Sequence, residues 1–217
     1  MKKLKIFSIT LLILLLFRSQ PSFCQENPGN IKLLPPDLSR GKLLMQALND
    51  RKTGRSFSEK ELPLSVISNL FWAAFGINRP DSGLRTAPSA MNLQEIEIFA
   101  AKKDGLYIYN AKNNSLDLII PKDIREKTGI QEFVKEAPLN LIYVADFSKM
   151  NFEQKDKEIY AATDAAFISQ NVYLFCSSEG LSTVVLGWVD KPKLESAMGL
   201  DKNKKVIYTQ PVGYPGQ

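Results

Sequence analysis

KEIYAATDAAFISQNVYLFCSSEGLSTVVLGWVD, Lys157–Asp190, is the stretch on which the fold turns. From Lys157 to Glu179 it is apolar on most sides. That predicts one long helix buried at the heart of the fold or of a subunit interface. Asp164, Gln170 and Asn171 interrupt it, and satisfied buried polar contacts account for them. Cys176 lies inside the helix and reads as a buried, inert thiol. Gly180 is placed to end the helix, and Thr183–Trp188 follows as a strand.

Working outward, Leu139–Ala145 is a strand apolar enough to be central, and Lys205–Val212 is another. A short helix near Pro192–Met198 precedes the latter. Glu95–Ala101 alternates Glu and Ile and reads as a strand. Lys103-Asp104-Gly105 then turns the chain into Leu106–Tyr109, a hairpin signal, and Ser115–Ile120 extends that sheet. Two helices come earlier. One runs from about Lys42 to Lys52, with Ser39 as a cap and Leu43, Leu44, Ala47 and Leu48 on one face. The other follows Pro63, carries Ile67, Leu70, Phe71, Ala74 and Phe75 as its stripe, and ends at Gly76. Helices and strands mix without regular alternation, so the expected class is α+β, with a mixed or antiparallel central sheet flanked by helices.

The chain has 217 residues, with 28 basic and 23 acidic side chains and no histidine. Met1–Lys5 is a basic start and Ile6–Phe17 an apolar run too short to span a bilayer comfortably. Ser22-Phe23-Cys24 fits a small-x-small cleavage site, so residues 1–24 read as an export signal, with periplasmic localisation. Lipid attachment at Cys24 is the rival, disfavoured by the bulky Phe23. The segment 1–24 holds Lys2, Lys3, Lys5 and Arg18 and no acid, so its removal leaves 24 basic residues against 23 acidic. Near neutrality argues against non-specific nucleic-acid binding. Residues 25–41 read as an extended arm and 42–217 as one domain with a full core. Without histidine there is no Ser-His triad, Cys–His nucleophile or His-ligated metal, and no paired-Cys or Asp-rich calcium spacing replaces them. Enzymatic chemistry in such a chain resides in an organic cofactor.

Two further stretches carry polar groups suited to such a ligand. RKTGRSF, Arg51–Phe57, gathers Arg51, Lys52, Thr53 and Arg55 at the end of a predicted helix. Guanidinium forks, an ammonium and a hydroxyl within one turn of chain suit a phosphate. The competing reading is that basic residues settle at helix C-termini through the dipole. RTAPSAMN, Arg85–Asn92, puts Ser89 and Asn92 on a loop marked by Pro88, with Gln94 just beyond. Such a loop offers hydroxyl and amide partners to a flat heterocycle, or is an ordinary turn.

Together these stretches resemble the nitroreductase family of FMN-dependent oxidoreductases, from about Leu43 to Gly213. In that family an Arg-x-Ser/Thr-x-Arg/Lys stretch grips the FMN phosphate. The resemblance assigns this role to Arg51, Lys52, Thr53 and Arg55. Gly54 departs from the usual residue, an expectation of a looser loop. Pro88, Ser89 and Asn92 match a loop that reaches the flavin from the second subunit, which implies a homodimer. Val185, Leu186 and Gly187 match the end of the strand that aims backbone N–H groups at flavin N5 or O4, although a buried strand with one Gly at a bulge fits the same residues. Gln131 matches a side chain set against the pyrimidine edge, and a solvent-exposed Gln is an equal reading. The usual basic pair beyond Pro211-Val212-Gly213 is missing, which leaves more of the phosphate to Arg51 and Arg55.

Gly76-Ile77-Asn78-Arg79, Arg85-Thr86-Ala87, Gly105-Leu106-Tyr107 and Tyr109 are similar to the branch containing azoline-oxidising dehydrogenases of thiazole/oxazole formation. The resemblance thus implies hydride or electron transfer between a donor, NAD(P)H in many relatives, and a small organic acceptor. Azoline oxidation is the alternative activity, and a flavin-binding module without turnover is the alternative class.

Overall fold

The computed structural model describes residues 29–216. The export-signal reading of residues 1–24 and the start of the arm lie outside them. In chain order the strands are β1 (Ile31–Lys32), β2 (Ile77–Arg79), β3 (Leu84–Arg85), β4 (Ile96–Lys102), β5 (Gly105–Asn110), β6 (Ser115–Ile120), β7 (Leu139–Asp146), β8 (Ser182–Thr183) and β9 (Lys204–Gly213). The helices are α1 (Leu44–Asp50), α2 (Leu64–Phe75), α3 (Gln154–Glu179) and α4 (Lys191–Met198). Seven strands form one sheet in the order β1-β6-β5-β4-β7-β9-β8, with every pairing antiparallel among the described residues. β2 and β3 form a separate hairpin. This is the expected α+β class.

β7 is central because both of its faces are covered. Leu139, Leu141, Tyr143 and Ala145 join the core under α2 and α3, while Ile142 and Val144 join the core under α4. The register to β4, Ile98↔Tyr143 and Ala100↔Leu141, keeps the same sides together. Leu70 and Phe71 bring α2 into the first core at 0% exposure, each burial contributing about 1.5–3 kcal/mol before entropy is charged against it. α3 lies alongside and presents Ala161, Ala165, Ile168, Val172 and Cys176 as one inward stripe. It ends where Gly180 turns left-handed, at φ 70°.

The structure departs from expectation at three places. The first helix is shorter than Lys42–Lys52, and Ser39 does not cap it; the Ser39 hydroxyl donates instead to Asp37. Of its supposed buried face only Ala47 is inside, while Leu43, Leu44 and Leu48 are exposed in the single chain. Thr183–Trp188 is not a continuous strand. The ladder covers Ser182 and Thr183, then returns only as a bridge between Leu186 and Thr209. Beyond it, the Val189 N–H donates to the Gly187 carbonyl in a tight turn. α3 is also buried on one side only in the single chain, with the apolar Ile159, Tyr160 and Phe167 exposed on the other.

Candidate functional site

α1 stops at Asp50, and Arg51 leaves it with an extended backbone. Residues 52–56 then run beside β8. The Gly54 N–H donates to the Thr183 carbonyl on that strand at 3.0 Å. A side chain at 54 would meet Ser182 Oγ at 2.6 Å. Gly54 therefore lets the loop lie flat on β8, the reverse of the loosening expected of it. The other side of the stretch is held by the C-terminal residues, with the Ser58 N–H donating to the Tyr214 carbonyl at 2.9 Å and Phe57 bridged to Pro215.

The result is a cavity of about 640 Å³, lined by Lys52, Thr53, Gly54, Arg55 and Ser56 on one side and by Ser177 and Gly180 of the α3 end on another. Among the described residues, no carboxylate lies in ion-pair distance of Arg51, Lys52 or Arg55. Asp50, also on the wall, is already paired with Lys42 at 2.7 Å. A cavity with unneutralised cations at its rim is an anion site in search of a charge. Cys176 is buried, and that burial pushes its thiol far up, so it stays protonated and inert as expected.

A second cavity, about 340 Å³, lies further back along α3. Ala166, Ser169, Gln170 and Tyr173 line it from the helix, Val185 and Gly187 from the segment after β8, and Tyr208 from β9. Tyr173 lines the second cavity and reaches Thr53 on the wall of the first. Its hydroxyl accepts the Val185 N–H at 3.0 Å and lies 3.4 Å from Thr53 Oγ1. The Arg51 guanidinium stands over its ring at 5.5 Å. With its oxygen accepting from Val185, the Tyr173 O–H is free to donate to Thr53. When it does, the Thr53 proton is available to a ligand. Nothing in the sequence pattern distinguished Tyr173 from its apolar neighbours.

The three residues 185–187 differ in what they offer. The Val185 N–H is taken by Tyr173, and the Leu186 N–H by the Thr209 carbonyl at 2.8 Å. The Gly187 N–H has no partner among the described residues. A Cβ built on Gly187 meets nothing nearer than the Tyr208 ring at 3.9 Å. Neither packing nor a positive φ requires glycine there. The space it leaves opens on the second cavity. Gln131 lies elsewhere. Its Oε1 is buried without a partner beside Gly129, whose other neighbours include Leu186, and it lines neither cavity.

The loop with Pro88, Ser89 and Asn92 is also apart from both cavities in this chain. Its Ala90 N–H donates to Asp164 Oδ2 at 2.8 Å. Asp164 lies twelve residues before Cys176 on α3, about 18 Å along the axis. Within the loop Gln94 is the organiser. Its backbone N–H donates to Ser89 Oγ at 3.0 Å and its side-chain amide to Asn92 Oδ1 at 3.0 Å. Arg85 fixes Gln94 in turn, donating from Nε to Oε1 at 2.9 Å. Ser89 keeps its O–H and Asn92 its amide N–H for an outside partner, and Pro88 and Asn92 are exposed.

The sequence profile of the nitroreductase family matches residues 48–214, which take in the basic stretch, all of α3, the 185–187 segment and the loop. A candidate nitroreductase of Methanocaldococcus jannaschii is 28% identical over 163 residues, covering 70% of this chain and 81% of its own. A crystal structure of a candidate nitroreductase from Ralstonia eutropha JMP134 is 38% identical with a TM-score of 0.83, covering 87% of this chain and 90% of that one. A Desulfovibrio desulfuricans structure, described as a candidate nitroreductase in complex with FMN, shares the fold at 19% identity and a TM-score of 0.60, over 81% and 88% of the two chains. Profile and relatives span the same region as the two cavities and the loop, and the chain belongs to the nitroreductase family.

Proposed function

We propose that this protein is an FMN-dependent oxidoreductase that acts as an exported homodimer. The observation that carries the reading is the order of groups along α3. Unneutralised Lys52 and Arg55, with Thr53, rim one cavity, and Gly187 with a free N–H opens the next. A ligand with an anionic tail and a flat ring fits that order. The FMN in the name of the Desulfovibrio relative supports the same choice.

Arg51, Lys52, Thr53 and Arg55 would hold the phosphate, and the Gly187 N–H would donate to the reactive edge of the ring. Bound there, the flavin supplies hydride and electron acceptance, which the side chains of this chain lack. The protein's own tasks are to bind, to orient and to place an N–H where charge develops. Ser89 and Asn92 lie apart from their own cavities. In a two-fold dimer their free donors are available to the site of the other copy. Leu43, Leu44, Leu48 and Phe167 are exposed in the single chain and are apolar side chains that such a dimer would cover. Successive visits of a donor, with NAD(P)H the first candidate, and of an organic acceptor to one cleft give ping-pong kinetics.

The double variant Arg51→Ala/Arg55→Ala tests the phosphate assignment. Two charge-assisted contacts at about 1.5–3 kcal/mol each predict an FMN affinity loss of roughly a hundredfold or more. The circular dichroism melting curve should stay close to the parent's, because neither guanidinium is ion-paired among the described residues. Unchanged FMN affinity in the folded double variant contradicts the assignment.

A further inference from the structure

Glu95 immediately precedes β4, at the start of the run that alternates Glu and Ile. It is 0% exposed, and neither carboxyl oxygen has a hydrogen-bond partner among the described residues. The group facing it from α3 is another carboxyl, Asp164, which is 3% exposed and within hydrogen-bonding reach. The cation facing it is Lys149, from the turn after β7, whose Nζ donates to the Gln94 carbonyl at 3.1 Å. Two ionised carboxylates in one dry place repel, and the Glu95 oxygens have no donor among the described residues. One shared proton removes both problems.

The loop next to this pair needs an anchor. Met91, Asn92 and Gln94 have φ of 50°, 55° and 48°, a left-handed conformation that costs a non-glycine residue about 1–2 kcal/mol. The tie from the loop to α3 is the Ala90 N–H on Asp164.

We propose that Glu95 is a positioning residue: in its acid form it donates to Asp164, and through Asp164 it fastens the Ser89–Asn92 loop to α3. Burial first, and the Asp164 charge after it, push Glu95 up to about 7, while its own backbone N–H and, less strongly, Lys149 pull the other way. When the proton leaves, a second negative charge arises beside Asp164 and the anchor loosens. The loop is then presented best below neutral pH. The consequence for flavin binding rests on the function proposed above; the anchoring itself does not.

The test compares the purified protein with Glu95→Gln, which keeps a donor but cannot titrate, and with Glu95→Ala, which has none. Infrared difference spectra of the wild type at pH 6 should contain a protonated carboxylic acid band that is lost towards pH 8 and absent from Glu95→Gln. At pH 8 the Ala90 amide should exchange about tenfold faster in the wild type than in Glu95→Gln, since about one molecule in ten keeps the proton there. Glu95→Ala should exchange fast at pH 6 as well. The dissociation constant for FMN should rise about tenfold from pH 6 to pH 8 in the wild type and stay flat in Glu95→Gln. No protonated carboxyl at pH 6, or a Glu95→Gln variant with the wild-type pH dependence, overturns the proposal. Failure of FMN to bind at either pH overturns the flavin reading instead, and the infrared and exchange results still judge the carboxyl pair.

Discussion

Gly54 and Gly187 are the same residue used for opposite reasons. Gly54 is needed by the protein itself, because a Cβ there would press within 2.6 Å of Ser182 Oγ and 3.0 Å of its Cβ. Gly187 is needed by no packing among the described residues, a Cβ there meeting nothing nearer than the Tyr208 ring at 3.9 Å. Alanine at the two positions should therefore separate stability from binding. Gly54→Ala is expected to cost about 1–3 kcal/mol in urea unfolding through overpacking. Gly187→Ala should change stability by less than about 0.5 kcal/mol yet weaken FMN binding about tenfold or more, by filling the space where a ring would approach. Equal stability losses in the two variants would contradict the distinction. At this scale the sequence was legible where charge clusters. The basic stretch 51–55 was visible because four polar groups in five residues stand out, whereas Tyr173 was not. Its hydroxyl gains meaning only from Val185 and Thr53, which reach it through folding.

At the scale of elements, α3 organises the site, since the basic cavity, the ring-sized cavity and the loop anchor follow one another along it. Its existence and its Gly180 stop were readable from the sequence, as were α2 and the long strands of the sheet. The failures have physical causes. The 183–188 segment has strand composition, but the chain leaves the ladder after Thr183 to turn at Gly187, and only Leu186 returns to β9. The β2–β3 hairpin has too few residues to show a period. Glu95 fits the alternation of β4 but stands one residue before it, where Asp164 of α3 faces it. Its burial has a consequence for stability. A carboxyl raised in the folded state keeps its proton after the unfolded chain has lost it. Stability therefore falls as pH rises from about 4.5 to about 7, and levels off above. Melting temperatures across that window should decline in the wild type and decline less in Glu95→Gln. A wild-type curve that rises through the window would contradict the buried-acid account.

For the molecule as a whole, the two cavities and the Ser89–Asn92 loop do not meet within one chain. The basic cavity sits at the C-terminal end of α3, and the Ser89–Asn92 loop is tied about 18 Å away. The leucines of α1 and its approach, Leu43 at 73%, Leu44 at 62% and Leu48 at 44%, are exposed in the single chain. In the homodimer proposed above, a two-fold partner would cover these side chains and carry the loop of one copy to the cavities of the other, which joins the homodimer to the cofactor in one claim. The sequence resemblance pointed to that arrangement, but composition alone could not, because α1's stripe reads equally well as a core face. The most direct measurement is sedimentation of the purified protein with FMN, followed both by protein absorbance and by flavin absorbance. The account predicts that the flavin signal sediments with a dimer, at about one FMN per chain. Replacing Leu44 and Leu48 by Glu should lose the dimer and the flavin together. Flavin left behind at the meniscus, or bound equally well by a monomer, would contradict it.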